Sequence, residues 1–272
     1  MPLVLASAHS GMDYRDDFLA AARLSPLALR RSEDSFVDEL FSPALALGAP
    51  MLTATFPRAY CDPNREAWEL DPSMFDDPLP GWVNTTSARV NAGLGTVARI
   101  VATGEPIYRD KLRFADAEAR VRTCWMPYHA ALSGLIEETQ ALFGGCVLID
   151  CHSMPSAGPA AAKPDGADPA PDLVLGDAIG TSCAGPIVDH IERVLRGQGY
   201  RVRRNDPYAG GYVTRHYGRP RERVHAVQIE LSRALYMDEA RYTRVAGFAR
   251  VQSDLAAMLA SLCKDLPALI AD

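Results

Sequence analysis

Short, largely apolar runs alternate along this chain with longer stretches in which apolar residues return every three or four places. The first kind reads as strands buried on both faces, the second as helices that cover them. Strands are predicted from Leu3 to Ala8, Pro50 to Thr55, Cys146 to Cys151, Leu173 to Leu175, Tyr200 to Arg204 and Val224 to Leu231. Helices are predicted over Phe36 to Leu47, Ala115 to Phe143, Gly185 to Arg196 and Tyr242 to Leu262. The second should kink or split at Pro127, which has no N–H to give the preceding turn. This alternation is the α/β signature. Two stretches lack either rhythm: Arg58 to Val90, rich in Pro, Asp and Asn, and Met154 to Asp172, rich in Ala, Pro and Gly. Both read as long loops, which in a compact domain usually carry function or lack order. No repeat or shift in composition marks a second domain, so one domain over residues 1–272 is expected.

Composition narrows the partners. The 272 residues are 48% hydrophobic and 23% charged, with a formal net charge of −6. That balance fits a soluble protein with a sizeable core and gives no reason to expect nucleic acid. The nearest basic patch, Arg215, Arg219, Arg221 and Arg223, reads as a solvated loop. The six cysteines are scattered without a CxxC pair, which is neither a zinc knuckle nor a secreted disulfide framework. The opening residues lack the positive region and apolar length of a signal peptide. No apolar stretch approaches the ~20 residues of a membrane span. A cytoplasmic location is the expectation.

Candidate chemistry gathers at strand ends, where α/β sheets collect ligands. His9 ends the first predicted strand and His152 the third. Two neutral imidazoles need only a carboxylate to complete a three-ligand catalytic zinc site. Glu230 lies in the apolar strand Val227-Gln228-Ile229-Glu230-Leu231, where an unpaired carboxylate is costly. Facing an activated water, it could take the proton and pass it to a leaving nitrogen; the other reading is an ion pair with a nearby arginine. In Arg58-Ala59-Tyr60-Cys61-Asp62-Pro63-Asn64-Arg65 two guanidiniums and an amide could clamp a carboxylate, or simply pair with the loop's own acids. Ser182 and Cys183 have no base to activate them. His129, His190 and His225 read as structural.

Taken together these residues resemble the N-formylglutamate amidohydrolase family. The likeness covers nearly the whole chain. It runs through His9-Ser10-Gly11, Asp34 and Asp38, Arg58 to Arg65, Ile149-Asp150-Cys151-His152-Ser153-Met154-Pro155, Pro171 to Asp177, Asn205-Asp206-Pro207-Tyr208 with Gly210-Gly211, and Gln228-Ile229-Glu230-Leu231. A wider similarity is to zinc carboxypeptidases and aspartoacylase-like enzymes, which carry an Asp-x-Asn-Arg element, here Asp62-Pro63-Asn64-Arg65. The resemblance implies a three-layer α/β sandwich with a mixed, mostly parallel sheet of the zinc-exopeptidase kind. It implies zinc held by His9, an acidic residue and His152, with Glu230 as general base; Arg58 or Arg65 is then the candidate at the oxyanion. One departure matters: the carboxypeptidase pattern has Glu three residues after the first His, where this chain has Met12. Asp34 is the acidic ligand that fits the family pattern. Asp38, one helical turn further on, and Asp13 stay open as alternatives.

The segment Gly210 to Gly218 also matches and carries Arg215 and His216, so Asn64, Arg65, Arg215 and His216 are the implied substrate-binding residues. The implied reaction is hydrolysis of N-formyl-L-glutamate to formate and glutamate, usually in histidine breakdown. Two rivals remain: the same chemistry on another N-acyl amino acid or small peptide, and a non-catalytic metal- or ligand-binding relative. The expected partner is a small N-acyl amino acid, with neither nucleic acid nor membrane.

Overall fold

The computed structural model describes residues 1–157 and 170–270; most of the predicted 154–172 loop, residues 158–169, lies outside them. The strands of the larger sheet are β1 (Leu3–Ser7), β2 (Met51–Thr53), β3 (Cys146–Met154), β4 (Leu173–Gly176), β5 (Val202–Arg204) and β6 (Val224–Ser232). The helices are α1 (Asp16–Ala21), α2 (Pro26–Leu29), α3 (Val37–Phe41), α4 (Ala88–Asn91), α5 (Phe114–Arg120), α6 (Met126–Phe143), α7 (Gly185–Gly197), α8 (Tyr212–Tyr217) and α9 (Gly247–Leu269). The chain divides into two compact units. One comprises Met1–Ser7, Phe36–Leu52 and Ser133–Asp272; the other comprises Ala8–Ser35 and Thr53–Leu132.

The first unit carries a six-stranded sheet in the order β2-β1-β3-β6-β4-β5. β1, β3 and β6 run parallel to one another, β4 opposes β6, and β5 follows β4 in parallel. The sheet is therefore mixed and mostly parallel, as expected. Strand parity sorts its side chains. Val147, Ile149 and Cys151 on β3, with Val227, Ile229 and Leu231 on β6, join one apolar cluster with residues of α3, α7 and α9. Each buried aliphatic there contributes ~1.5–3 kcal/mol. Because neighbours on a strand point to opposite faces, Asp150, His152, Gln228 and Glu230 stand on the other face.

Three predicted helices differ from the observed ones. The stretch Phe36 to Leu47 is α only from Val37 to Phe41 and continues as a 3-10 helix, Ser42–Leu47, with Pro43 in its first turn. Before Pro127 the chain winds as a π turn, Val121–Trp125. That wider turn absorbs the proline's missing N–H and ring clash without ending the helix. The last helix starts later, at Gly247, and runs on to Leu269, because Leu266 and Ile270 return to the core a turn at a time beyond Leu262.

The second unit holds little regular structure. Much of the Arg58 to Val90 stretch is irregular, as expected, yet it packs: Leu70, Met74, Phe75 and Val83 join Val97, Leu112 and Ala117 in one buried cluster. A second cluster includes Phe18, Leu29, Tyr60 and Ile107. Beside it the Arg120 guanidinium lies over the rings of Phe18, Tyr60 and Tyr108 and donates to the Tyr60 carbonyl. That contact anchors the chain just before Asp62. Among the described residues, no helix is long and apolar enough to cross a membrane.

Candidate active site

On the sheet, register does the positioning. β3 and β6 pair so that His152 stands beside Glu230 and Asp150 beside Gln228. Asp150 and His152 are two residues apart on one strand and share a face, as do Gln228 and Glu230. The His152 Nε2 is 2.8 Å from Asp150 Oδ1. A carboxylate only accepts, so Nε2 carries the proton of this hydrogen bond. Asp150 is fully buried and its other oxygen accepts from the Thr214 hydroxyl at 3.0 Å. Gln228 Nε2 donates to Glu230 Oε1 at 2.9 Å, and Gln228 Oε1 accepts from the Gly211 N–H at 2.8 Å.

In the second unit the positioning is ionic. His9 follows the end of β1 by two residues and is buried. Gly11 after it passes so close to Phe56 that a Cβ would sit 2.2 Å from the Phe56 carbonyl oxygen; no other residue fits this turn. Asp34 is held to the same segment: its N–H donates to the His9 carbonyl, and its carbonyl accepts from the Ser10 hydroxyl. His9 Nε2 lies 2.7 Å from Asp62 Oδ1, and His9 Nδ1 lies 3.2 Å from Asp34 Oδ2. Burial opposes ionisation of Asp62, but Arg58, Arg65 and His9 outweigh it and hold its carboxyl well below the usual range. Asp62 is therefore a carboxylate, and Nε2 donates to it. Nδ1 and Asp34 Oδ2 are then two acceptors facing each other, and their approach calls for a cation between them, a proton or a metal ion.

The other predicted residues fall in distinct places. Arg58 Nη2 is 2.7 Å from Asp62 Oδ2, with about a fifth of the arginine side chain exposed (21%). The Asn64 N–H donates to Asp62 Oδ1. Arg65 is buried, donates to the Leu94 and Asn64 carbonyls, and is lowered by burial to a pKa of about 10. Arg215 and His216 lie on the exposed side of α8, while Val213, Thr214 and Tyr217 are buried. His216 stacks on Tyr212, and burial, then Arg219, pushes its pKa down.

Asp34 precedes α3 rather than lying in it, so the helical face it was expected to share with Asp38 does not exist. Asp13 is exposed. His129 meets the Pro63 carbonyl, His190 meets Ser261, and His225 accepts from the Ala184 N–H. Ser182 donates to the Ala226 carbonyl. Burial pushes the Cys183 thiol far up, and all six cysteines are free and buried. The contacts of Asp62 with His9, of Asp150 with Thr214 and of Gln228 with Glu230 were not evident in the sequence.

A mixed α/β fold with a histidine and a carboxylate near the carboxyl ends of two paired strands defines a broad class. Comparison with known proteins narrows it. The sequence model of N-formylglutamate amidohydrolase matches residues 1–237, and the chain belongs to that family. An N-formylglutamate deformylase of Pseudomonas putida is 30% identical over 246 residues, 88% of this chain and 83% of the relative. One from Pseudomonas aeruginosa is 32% identical over 243 residues, with the same shares. The crystal structure of an N-formylglutamate amidohydrolase from Ralstonia eutropha superposes with a TM-score of 0.90 at 38% identity, covering 97% of this chain and 93% of that one. A gene product of Agrobacterium tumefaciens shares the fold at a TM-score of 0.63 and 17% identity, covering 97% of this chain and 91% of that one.

Proposed function

We propose that this chain hydrolyses N-formyl-L-glutamate to formate and L-glutamate on a zinc-exopeptidase-like scaffold, with zinc held by His9, Asp34 and His152. The observation that carries the metal is the meeting of His9 Nδ1 and Asp34 Oδ2 at 3.2 Å. Two ligands of a tetrahedral zinc, each at ~2.0–2.2 Å, stand about 3.3 Å apart. All three residues are buried and each offers one ligand atom. Two imidazoles and a carboxylate are a donor set that catalytic zinc takes. The substrate assignment follows the relatives, whose names state that activity.

Bound there, zinc supplies Lewis acidity and lowers the pKa of water towards ~7. Glu230 takes the proton of the attacking water and returns it to the departing nitrogen. Arg58 stabilises the oxyanion, a donor role worth ~3 kcal/mol. Asn64, Arg65, Arg215 and His216 bind the substrate and its carboxylates. A neutral His216 takes part through hydrogen bonds rather than charge, consistent with its lowered pKa.

Turnover of formyl-, acetyl- and succinyl-L-glutamate side by side tests the substrate. The formyl compound should lead by ~10-fold or more, the discrimination that a small extra group commands in a fitted pocket. Preference for the acetyl or succinyl compound would move the activity to another N-acyl amino acid.

A further inference from the structure

The short helix α8 matches the family as a substrate loop, but its buried side has a different connection. It packs on β3 and β6, and a hydrogen-bonded arm runs to each strand from α8 or its N-cap. In the first arm, the Thr214 hydroxyl donates to Asp150 Oδ2 at 3.0 Å, and Asp150 Oδ1 accepts from His152 Nε2 at 2.8 Å. In the second, the Gly211 N–H donates to Gln228 Oε1 at 2.8 Å, and Gln228 Nε2 donates to Glu230 Oε1 at 2.9 Å.

Thr214 and Asp150 have no exposure, and Gln228 has 3%. A hydrogen bond lost at such depth is not replaced by water. The arms start at Thr214 of α8 and at its N-cap Gly211, and end on the two side chains proposed for the chemistry. Gly176 and Gly210 let this segment approach the sheet: a Cβ at Gly176 would sit 2.7 Å from the Gly210 nitrogen.

We propose that α8 is a positioning element that sets His152 through Thr214 and Asp150, and sets Glu230 through Gln228. The first arm fixes the tautomer and plane of the His152 ring. Asp150 alone can accept the Nε2 proton, but without Thr214 its carboxylate can turn about its own bond, and the ring can turn with it. The second arm fixes one oxygen of Glu230, Oε1, through the Gln228 amide. Neither Thr214 nor Gln228 touches substrate in this account, so neither is a catalytic residue. The proposal rests on the assignment of His152 and Glu230 above, and its test separates the two.

The test uses the full chain labelled with nitrogen-15 at histidine, first stripped of metal. In the wild type the His152 ring should show one tautomer, with the proton on Nε2 protected from exchange. T214V keeps the volume and removes the hydroxyl; its His152 signal should show mixed tautomers and fast exchange, while T214S restores the wild-type pattern. Zinc affinity, read by competition with a chromophoric chelator, should fall roughly tenfold in T214V, at the low end of what outer partners of metal ligands contribute. Q228M should lower kcat with KM unchanged.

An unchanged ring spectrum and zinc affinity in a folded T214V protein would overturn the first arm. Wild-type kcat in Q228M would overturn the second. If T214V does not fold, T214A takes its place and should show the same mixed tautomers; an unchanged ring spectrum there would equally overturn the first arm. A wild-type protein that binds no zinc and releases no formate would sink the functional reading, while the ring spectrum would still decide what Thr214 does.

Discussion

The two histidines are oriented alike and supported differently. Each has its Nε2 against a carboxylate, Asp62 for His9 and Asp150 for His152. On the sheet, the β3 ladder already aims Asp150 and His152 to one face, so a neutral hydroxyl from Thr214 suffices to hold the carboxylate. Around His9 there is no ladder. There Asp62 is gripped by Arg58, Arg65 and the Asn64 N–H. Where backbone geometry does not set a side chain, charge does, and the difference should be measurable.

The largest effect expected is on the sheet. E230Q should reduce kcat by ~10²–10⁴, the range of a general acid–base, with zinc content unchanged, since glutamine still accepts from Gln228. Steady-state rates with metal analysis check this, and full activity would remove the base assignment. Next is D62N, which leaves buried Arg65 and partly buried Arg58 without their countercharge. It should cost about 3–5 kcal/mol in chemical denaturation of the metal-free protein.

The same substitution has a pH signature. The Asp62 carboxyl sits below its ordinary value, so its stabilisation is complete above the unfolded pKa of ~3.9 and is lost as pH falls through that value towards the folded one. Denaturation curves of D62N should lack that loss.

R215A tests the exposed side of α8. Losing a charged hydrogen bond worth ~1.5–3 kcal/mol should raise KM roughly 10- to 100-fold with kcat little changed. The smallest effect belongs to D150N. Asparagine can accept from His152 and bond to Thr214, so the stability cost should stay near ~0.5–1.5 kcal/mol. A D150N loss as large as that of D62N would break the contrast between the ladder and the ion cluster.

How much of this was legible in the chain follows the same division. The strands β1, β3, β4 and β6 read directly, because a short, largely apolar run buries well as a strand covered on both faces. His9, His152 and Glu230 could be placed at strand ends from those runs. The parity that puts Asp150 with His152, and Gln228 with Glu230, was present in the two-residue spacing, yet their partner α8 is distant in sequence and short. The pairing of Asp62 with His9 spans 53 residues of irregular chain, and no local pattern announces it. The π turn before Pro127 was legible only as a break, since proline signals that the helix must adjust without saying how.

Formate release from N-formyl-L-glutamate, measured before chelation, after chelation and after zinc is added back, tests the central claim most directly. Release should disappear with the chelator and return with zinc. Release that persists undiminished in fully metal-stripped protein would contradict that claim.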